Sequence, residues 1–180
     1  PGLHNAYNAL AAATAAWAAG ADAQAIAAGL ANMHPVSGRL QMLDGVAGSQ
    51  IIDDSYNANP ASLRAALATQ TQAHVPLWLV LGDMAELGEA AISSHTEAGQ
   101  LARAHGVARL YALGELSAYA ASAFGSESQV FNNHQALIEQ LQADLRPGVR
   151  VLVKGSRSAR MDQVVAGLAV TYSQEDRECC

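Results

Sequence analysis

Lysine is almost absent from this sequence: of ten basic residues in 180, only Lys154 is not an arginine. Sixteen acidic residues bring the formal net charge to −6. That balance excludes the basic footprint of a nucleic-acid binder and attraction to an anionic membrane surface. Aromatic residues make up only 5 %, although 51 % of the chain is apolar. Alanine supplies much of the apolar share, and such a composition favours helices packed closely on a sheet. Cysteine is confined to the adjacent pair Cys179 and Cys180, which excludes a loop-closing disulfide framework and a cysteine metal motif. A disulfide-free core suits a reducing compartment. No apolar run is long enough to span a bilayer and no signal-peptide pattern opens the chain, so no membrane insertion is expected. The first residues are Pro1-Gly2, without an initiator methionine. The expectation is a fragment or a processed product.

The standard nucleotide signatures are missing too. There is no G-x-x-x-x-G-K-[ST], since the one lysine follows a valine, and no G-x-G-x-x-G after a strand. This excludes a self-sufficient P-loop ATPase and an ordinary dinucleotide binder. The six histidines (His4, His34, His74, His95, His105 and His134) form no ligand pair of the H-E-x-x-H kind, so no metal site is expected. Ser94 and His95 are sequence neighbours on a helix and do not face each other, so no hydrolase triad is supported.

What is present is a helical start followed by strand–helix alternation. Residues 4–19 read as an alanine-rich helix stopped by Gly20, and 22–32 as a second helix with Asp22 as N-cap. Residues 34–38 break the pattern and read as a linker. Strands are expected at 40–43 and 50–53 as a hairpin, then at 76–81, 109–113, 129–131 and 150–153. Helices are expected at 60–71, 90–105, 117–123, 135–145 and 159–170. Asn59 and Pro60 mark the start of the first of these. This alternation predicts an α/β fold: a Rossmann-like doubly wound, mainly parallel sheet with an antiparallel edge hairpin.

In open α/β sheets ligands bind beyond the carboxyl ends of the strands. Three predicted strand ends carry polar or glycine-bearing clusters: 53–60, 82–88 and 154–158. All three should open on one edge of the sheet. Asp54 at a strand end suits ribose hydroxyls; its ordinary alternative is to cap the next turn. Lys154 is a point charge suited to a phosphate or carboxylate. Gly155 and Ser156 allow backbone N–H groups to approach an anion. Arg157 has the fork that matches a carboxylate, or is a plain surface residue.

The strings DDSYNANPASLRAAL, LGDMAELG and LVKGSRSARMDQVV, with His95 on the helix between the second and third, resemble the C-terminal domain of the Mur ligase family. The opening HNAYNALAA resembles the helix that closes that family's central ATPase domain, and GRL at 38–40 its entry to the C-terminal domain. The resemblance implies residues 1–36 from the central ATP-binding domain, a Rossmann-like domain at 37–172 and a flexible tail at 173–180. It implies an ATP-dependent ligase that joins D-alanyl-D-alanine to UDP-N-acetylmuramoyl-tripeptide through an acyl phosphate in peptidoglycan synthesis. The intact enzyme would be cytoplasmic and monomeric, with ATP and Mg2+, the magnesium ligands lying upstream. By the same resemblance Asn5 and Asn8, with His4 beside them, contact the adenine. Arg39 reaches the ribose or phosphates, Asp54 binds the ribose, and Tyr56 and Asn57 line the ATP edge. Lys154, Ser156 and Arg157 face the γ-phosphate and dipeptide. Without the ATPase core this piece is expected to be inactive alone. The alternatives are a sister ligase (diaminopimelate- or lysine-adding, or folylpolyglutamate synthase) and a non-catalytic Rossmann-type binding module. DDSYNANP, in place of a D-Y-A-H-x-P pattern, speaks against a sister ligase.

Overall fold

The computed structural model describes residues 3–33, 36–70 and 75–170, with the side chains of residues 3–5 excepted. The expected tail at 173–180 lies outside them. The chain divides into two units, Pro1–Pro35 and Val36–Cys180.

The first unit is a helical pair, α1 (Leu3–Ala18) and α2 (Ala23–Ala31). Gly20 ends the first with a φ of 93°, open to glycine at no steric cost. Asp22 caps the second as expected, its carboxylate accepting the Ala25 N–H at 2.7 Å. Tyr7, Leu10 and Trp17 of α1 are exposed.

The second unit is one six-stranded sheet with helices on both faces. Its strands are β1 (Gln41–Asp44), β2 (Gln50–Asp54), β3 (Leu77–Gly82), β4 (Arg109–Leu113), β5 (Ser128–Phe131) and β6 (Arg150–Lys154). The order is β1-β2-β6-β3-β4-β5, antiparallel only between β1 and β2. Helices α3 (Pro60–Gln70), α4 (Ala91–Ala104), α5 (Ser117–Phe124), α6 (His134–Asp144) and α7 (Asp162–Leu168) connect or follow the parallel strands. All six residues of β3 are buried, which is why it reads as an unbroken apolar run: both of its faces are covered.

Alternation along the strands splits the core in two. Ile52, Leu79, Leu81 and Leu152 face Leu63 and Leu67 of α3, Ala98 and Ala102 of α4, and Phe124 of α5. Ile51, Trp78, Val80, Val151 and Val153 face Leu137 and Leu141 of α6 and Val164, Val165 and Leu168 of α7. Each fully buried leucine here contributes roughly 1.5–3 kcal/mol. Scarcity of aromatics is made good by close approach: a Cβ on Gly99 of α4 would collide with the Ala120 carbonyl of α5. Trp78 and Tyr111 are the large exceptions, with ring centroids 5.6 Å apart.

Two local expectations are corrected. The last helix is shorter than 159–170, because residues 157–159 form a 3-10 turn and Arg160 follows in the left-handed region at φ 49°. The first strand starts at Gln41, since Leu40 also has positive φ, 54°. The segment read as a linker contains the division between the two units, and its last two residues, Ser37 and Gly38, are buried.

Candidate functional site

β6 lies between β2 and β3, and register sets Lys154 beside Asp54 on one side and Leu81 on the other. The chain leaves β2 and β3 toward helices on one face and leaves β6 toward α7 on the opposite face. Departures to opposite faces from adjacent strands open a crevice at their carboxyl ends. The loops after β2, β3 and β6 therefore meet at one rim.

The first loop is built on two adjacent aspartates with different surroundings. Asp53 is fully buried and accepts the Gly38 N–H at 3.2 Å, the Ser55 N–H at 3.0 Å and the Ser55 hydroxyl at 2.5 Å. Burial pushes its carboxyl above the ordinary range, and the Ser55 and Gly38 hydrogen bonds pull against that. Asp54 accepts the Lys154 ammonium at 2.5 Å. Burial raises its carboxyl too, opposed by the Lys154 charge and the Leu40 N–H. Lys154 is 1 % exposed and also donates to the Asn57 carbonyl at 3.0 Å. Asn59 then caps α3, its side chain accepting the Ser62 N–H at 2.8 Å.

Gly38 ties the entry segment to this loop. Its carbonyl accepts the Tyr56 N–H at 3.1 Å, and its φ is 74°. A Cβ there would sit 3.0 Å from Tyr56. Next to it the Arg39 guanidinium stacks over the Tyr56 ring, 4.3 Å from its centroid.

The second loop is pinned from both sides. The Asp83 carbonyl accepts the Ser156 N–H at 3.0 Å and the Ser156 hydroxyl at 2.6 Å, which joins the loops after β3 and β6. Its carboxylate accepts the Ser117 N–H at 2.7 Å and hydroxyl at 2.8 Å. Met84 is buried, and its N–H donates to Nε2 of the fully buried His95 at 2.9 Å. His95 Nδ1 lies 2.7 Å from the Ala91 carbonyl. An acceptor at Nε2 and a donor at Nδ1 fix one neutral tautomer.

Between the loops lies a cleft of ≈ 650 Å³ lined by Tyr56, Asn57, Asn59, Glu86, Ser156, Arg157 and neighbouring residues. The volume is in the range of small-molecule sites. Met161 occupies the space that Cβ atoms on Gly82 and Gly155 would take.

Of the residues singled out from sequence, the structure brings Arg39, Asp54, Tyr56, Asn57, Lys154, Ser156 and Arg157 to this rim. Asn8 is exposed on α1 in the first unit. The backbone of His4 and Asn5 is in the same helix, and their side chains lie outside the described residues. Lys154 does not offer a free charge to the cleft: its ammonium is buried and held by Asp54 and Asn57. Ser156 is 3 % exposed and turned to Asp83. Arg157 is exposed on the rim. Sequence reasoning missed the supporting roles of Asp53, Asp83 and His95. A signal for His95 existed, since with Ala98, Gly99 and Ala102 it follows the i, i+3, i+4, i+7 spacing of a buried helical stripe. For two adjacent aspartates no signal says which turns inward.

Residues 38–157 match the family described as Mur ligase, glutamate ligase domain. The chain is 41 % identical over 183 residues to the UDP-N-acetylmuramoyl-tripeptide–D-alanyl-D-alanine ligase of Escherichia coli K12, covering 99 % of this chain and 39 % of that protein. It is 38 % identical over 193 residues to the enzyme of the same name from Mycobacterium tuberculosis H37Rv, covering 93 % and 38 %. The chain thus spans about two fifths of these relatives. Among solved structures it superposes on MurF from Acinetobacter baumannii with a TM-score of 0.82 at 31 % identity, covering 92 % of this chain and 38 % of that one. MurF from Thermotoga maritima in complex with ADP gives a TM-score of 0.65 at 25 % identity, covering 83 % and 33 %.

Proposed function

The chain belongs to the Mur ligase family, and from that premise we propose that it is the C-terminal part of the ATP-dependent ligase joining D-alanyl-D-alanine to UDP-N-acetylmuramoyl-tripeptide. One observation carries the reading: the three strings that resemble the family, at 53–60, 81–88 and 152–158, fold onto one cleft at the carboxyl rim of the sheet. The names of the relatives supply the substrates, and the ADP complex of one neighbour supplies the nucleotide.

In this reading ATP phosphorylates the peptide carboxylate, giving ADP and an acyl phosphate. The amine of the dipeptide attacks the acyl carbon, and phosphate leaves. Residues 37–172 form the C-terminal domain, and 1–36 belong to the central ATP-binding domain, with His4, Asn5 and Asn8 at the adenine. Arg39, stacked on Tyr56, takes the ribose or phosphates. The Asp54 carboxylate accepts from the ribose and Asn57 lines the nucleotide edge. Arg157 faces the dipeptide carboxylate, with Ser156 holding its loop in place. Lys154, being buried, contributes by fixing Asp54 and the Asn57 carbonyl. Magnesium would neutralise phosphate charge. By the resemblance to the family its protein ligands lie in the central ATP-binding domain, upstream of this chain. No described helix is long and apolar enough to cross a membrane. A cytoplasmic location and a monomeric intact enzyme go with the reading.

Two measurements on the 180-residue chain test it. Amide shifts followed by NMR during titration with ADP and with D-alanyl-D-alanine should change at the cleft-lining residues; changes confined to the opposite rim would refute the site. Phosphate release with all three substrates should stay at background; turnover by this chain alone would refute the assignment of the ATPase core to another part.

A further inference from the structure

Among the described residues only two charged side chains line the cleft, Glu86 from the loop after β3 and Arg157 from the loop after β6. Both are exposed, and neither is ion-paired with the other or with any other group among the described residues. Opposite charges that share a cleft without pairing leave between them a space complementary to a small ligand bearing both signs.

Glu86 is also held in place. Its φ is 61°, the left-handed region that a side chain with a Cβ rarely adopts. The residues around it enforce that conformation. Met84 is buried with its N–H on His95, Leu87 packs against the core, and the Leu87 carbonyl accepts the Ala90 N–H at 3.1 Å. A strained residue at a cleft, supported from both sides, points to a purpose for its side chain.

We propose that Glu86 receives the ammonium group of a zwitterionic amino substrate, while Arg157 across the cleft takes its carboxylate. This rests on the amino-substrate reading above and adds to it the group that selects a free amine. Charge decides between the possible occupants of this part of the cleft. A nucleotide polyphosphate carries only negative groups and is repelled by Glu86, whereas a zwitterion satisfies both rims. An N-blocked peptide would lose the contact with Glu86 and keep the one with Arg157.

The test is an NMR titration of the 180-residue chain and its Glu86→Gln variant with D-alanyl-D-alanine and with N-acetyl-D-alanyl-D-alanine, following residues 85–87 and 156–158. The wild-type chain should bind the free dipeptide about fivefold more tightly than the acetylated one, the ratio expected of a partly exposed ion pair. Glu86→Gln should bring the free dipeptide down to the level of the acetylated one. Equal binding of both peptides by the wild type, or an undiminished preference in the variant, overturns the role of Glu86 and leaves the amino-substrate reading standing. No response to either peptide overturns both.

Discussion

The Lys154 ammonium is buried and donates to the Asp54 carboxylate, so the chain's one lysine and the aspartate a hundred residues earlier are a largely buried ion pair. Register between β2 and β6 brings them together. Removing one partner should cost more than removing both. Lys154→Met leaves a largely buried carboxylate uncompensated and is expected to destabilise the domain by about 3 kcal/mol. The double variant Asp54→Asn, Lys154→Met should recover part of that loss. Urea denaturation of the two single variants and the double measures the coupling. Additive losses would contradict the pairing.

Asp53 makes a prediction about pH. Its folded-state carboxyl is raised by burial, so in the window above the unfolded carboxylate value the folded state binds more protons than the unfolded state. Stability from such a group is fully present below the unfolded pKa and is lost as pH rises through the folded one. Asp53→Asn removes the titration. The stability of the wild type relative to the variant should therefore fall over the interval above about pH 4, the ordinary carboxylate value. Urea midpoints across that interval check it; a relative gain with rising pH would reverse the sign.

His95 supports the loop that carries Glu86. His95→Ala leaves the buried Met84 N–H without its acceptor, at a cost of about 1–3 kcal/mol before the lost packing is counted. Hydrogen exchange should quicken first at residues 84–87. His95→Gln, which keeps an acceptor of similar reach, should exchange more slowly than the alanine variant. Unchanged exchange in both would deny the loop its dependence on His95.

Gly99→Ala tests the packing of α4 on α5. The new methyl group would meet the Ala120 carbonyl, a backbone atom that cannot turn aside. The helices must separate, and the expected loss is about 2 kcal/mol, read as a lower thermal midpoint. A midpoint within a degree of wild type would mean that the helices yield freely.

Gly38→Ala should disturb the site more than the fold. Its φ of 74° strains any other residue, and the added carbon would press on Tyr56. Arg39 stands on that ring. Weaker ADP binding is expected, with a loss of stability of about 1 kcal/mol. Unaltered ADP affinity would separate the entry segment from the site.

The layered fold was legible because its elements announce themselves locally. The run of β3, the Asn59-Pro60 start of α3 and the turn glycines state period, length and boundary within a few residues. The rim was legible for the same reason: parallel strands deliver their following loops to one edge, whatever their order. Element ends were less so, as at Leu40 and Arg160, where backbone conformation depends on neighbours distant in sequence.

Composition and pattern alone determined an α/β domain with its polar loops on one rim. They could not assign direction to each polar side chain. Asp53 and Asp54 are the same residue type in adjacent positions, yet one ties the entry segment and the other meets Lys154. Lys154 reads in sequence as a charge awaiting an anion, and only the pairing of β2 with β6 turns it inward. That pairing joins segments about a hundred residues apart. Burial, which decides whether a charge is offered or neutralised, is a property of what the sheet places next to it.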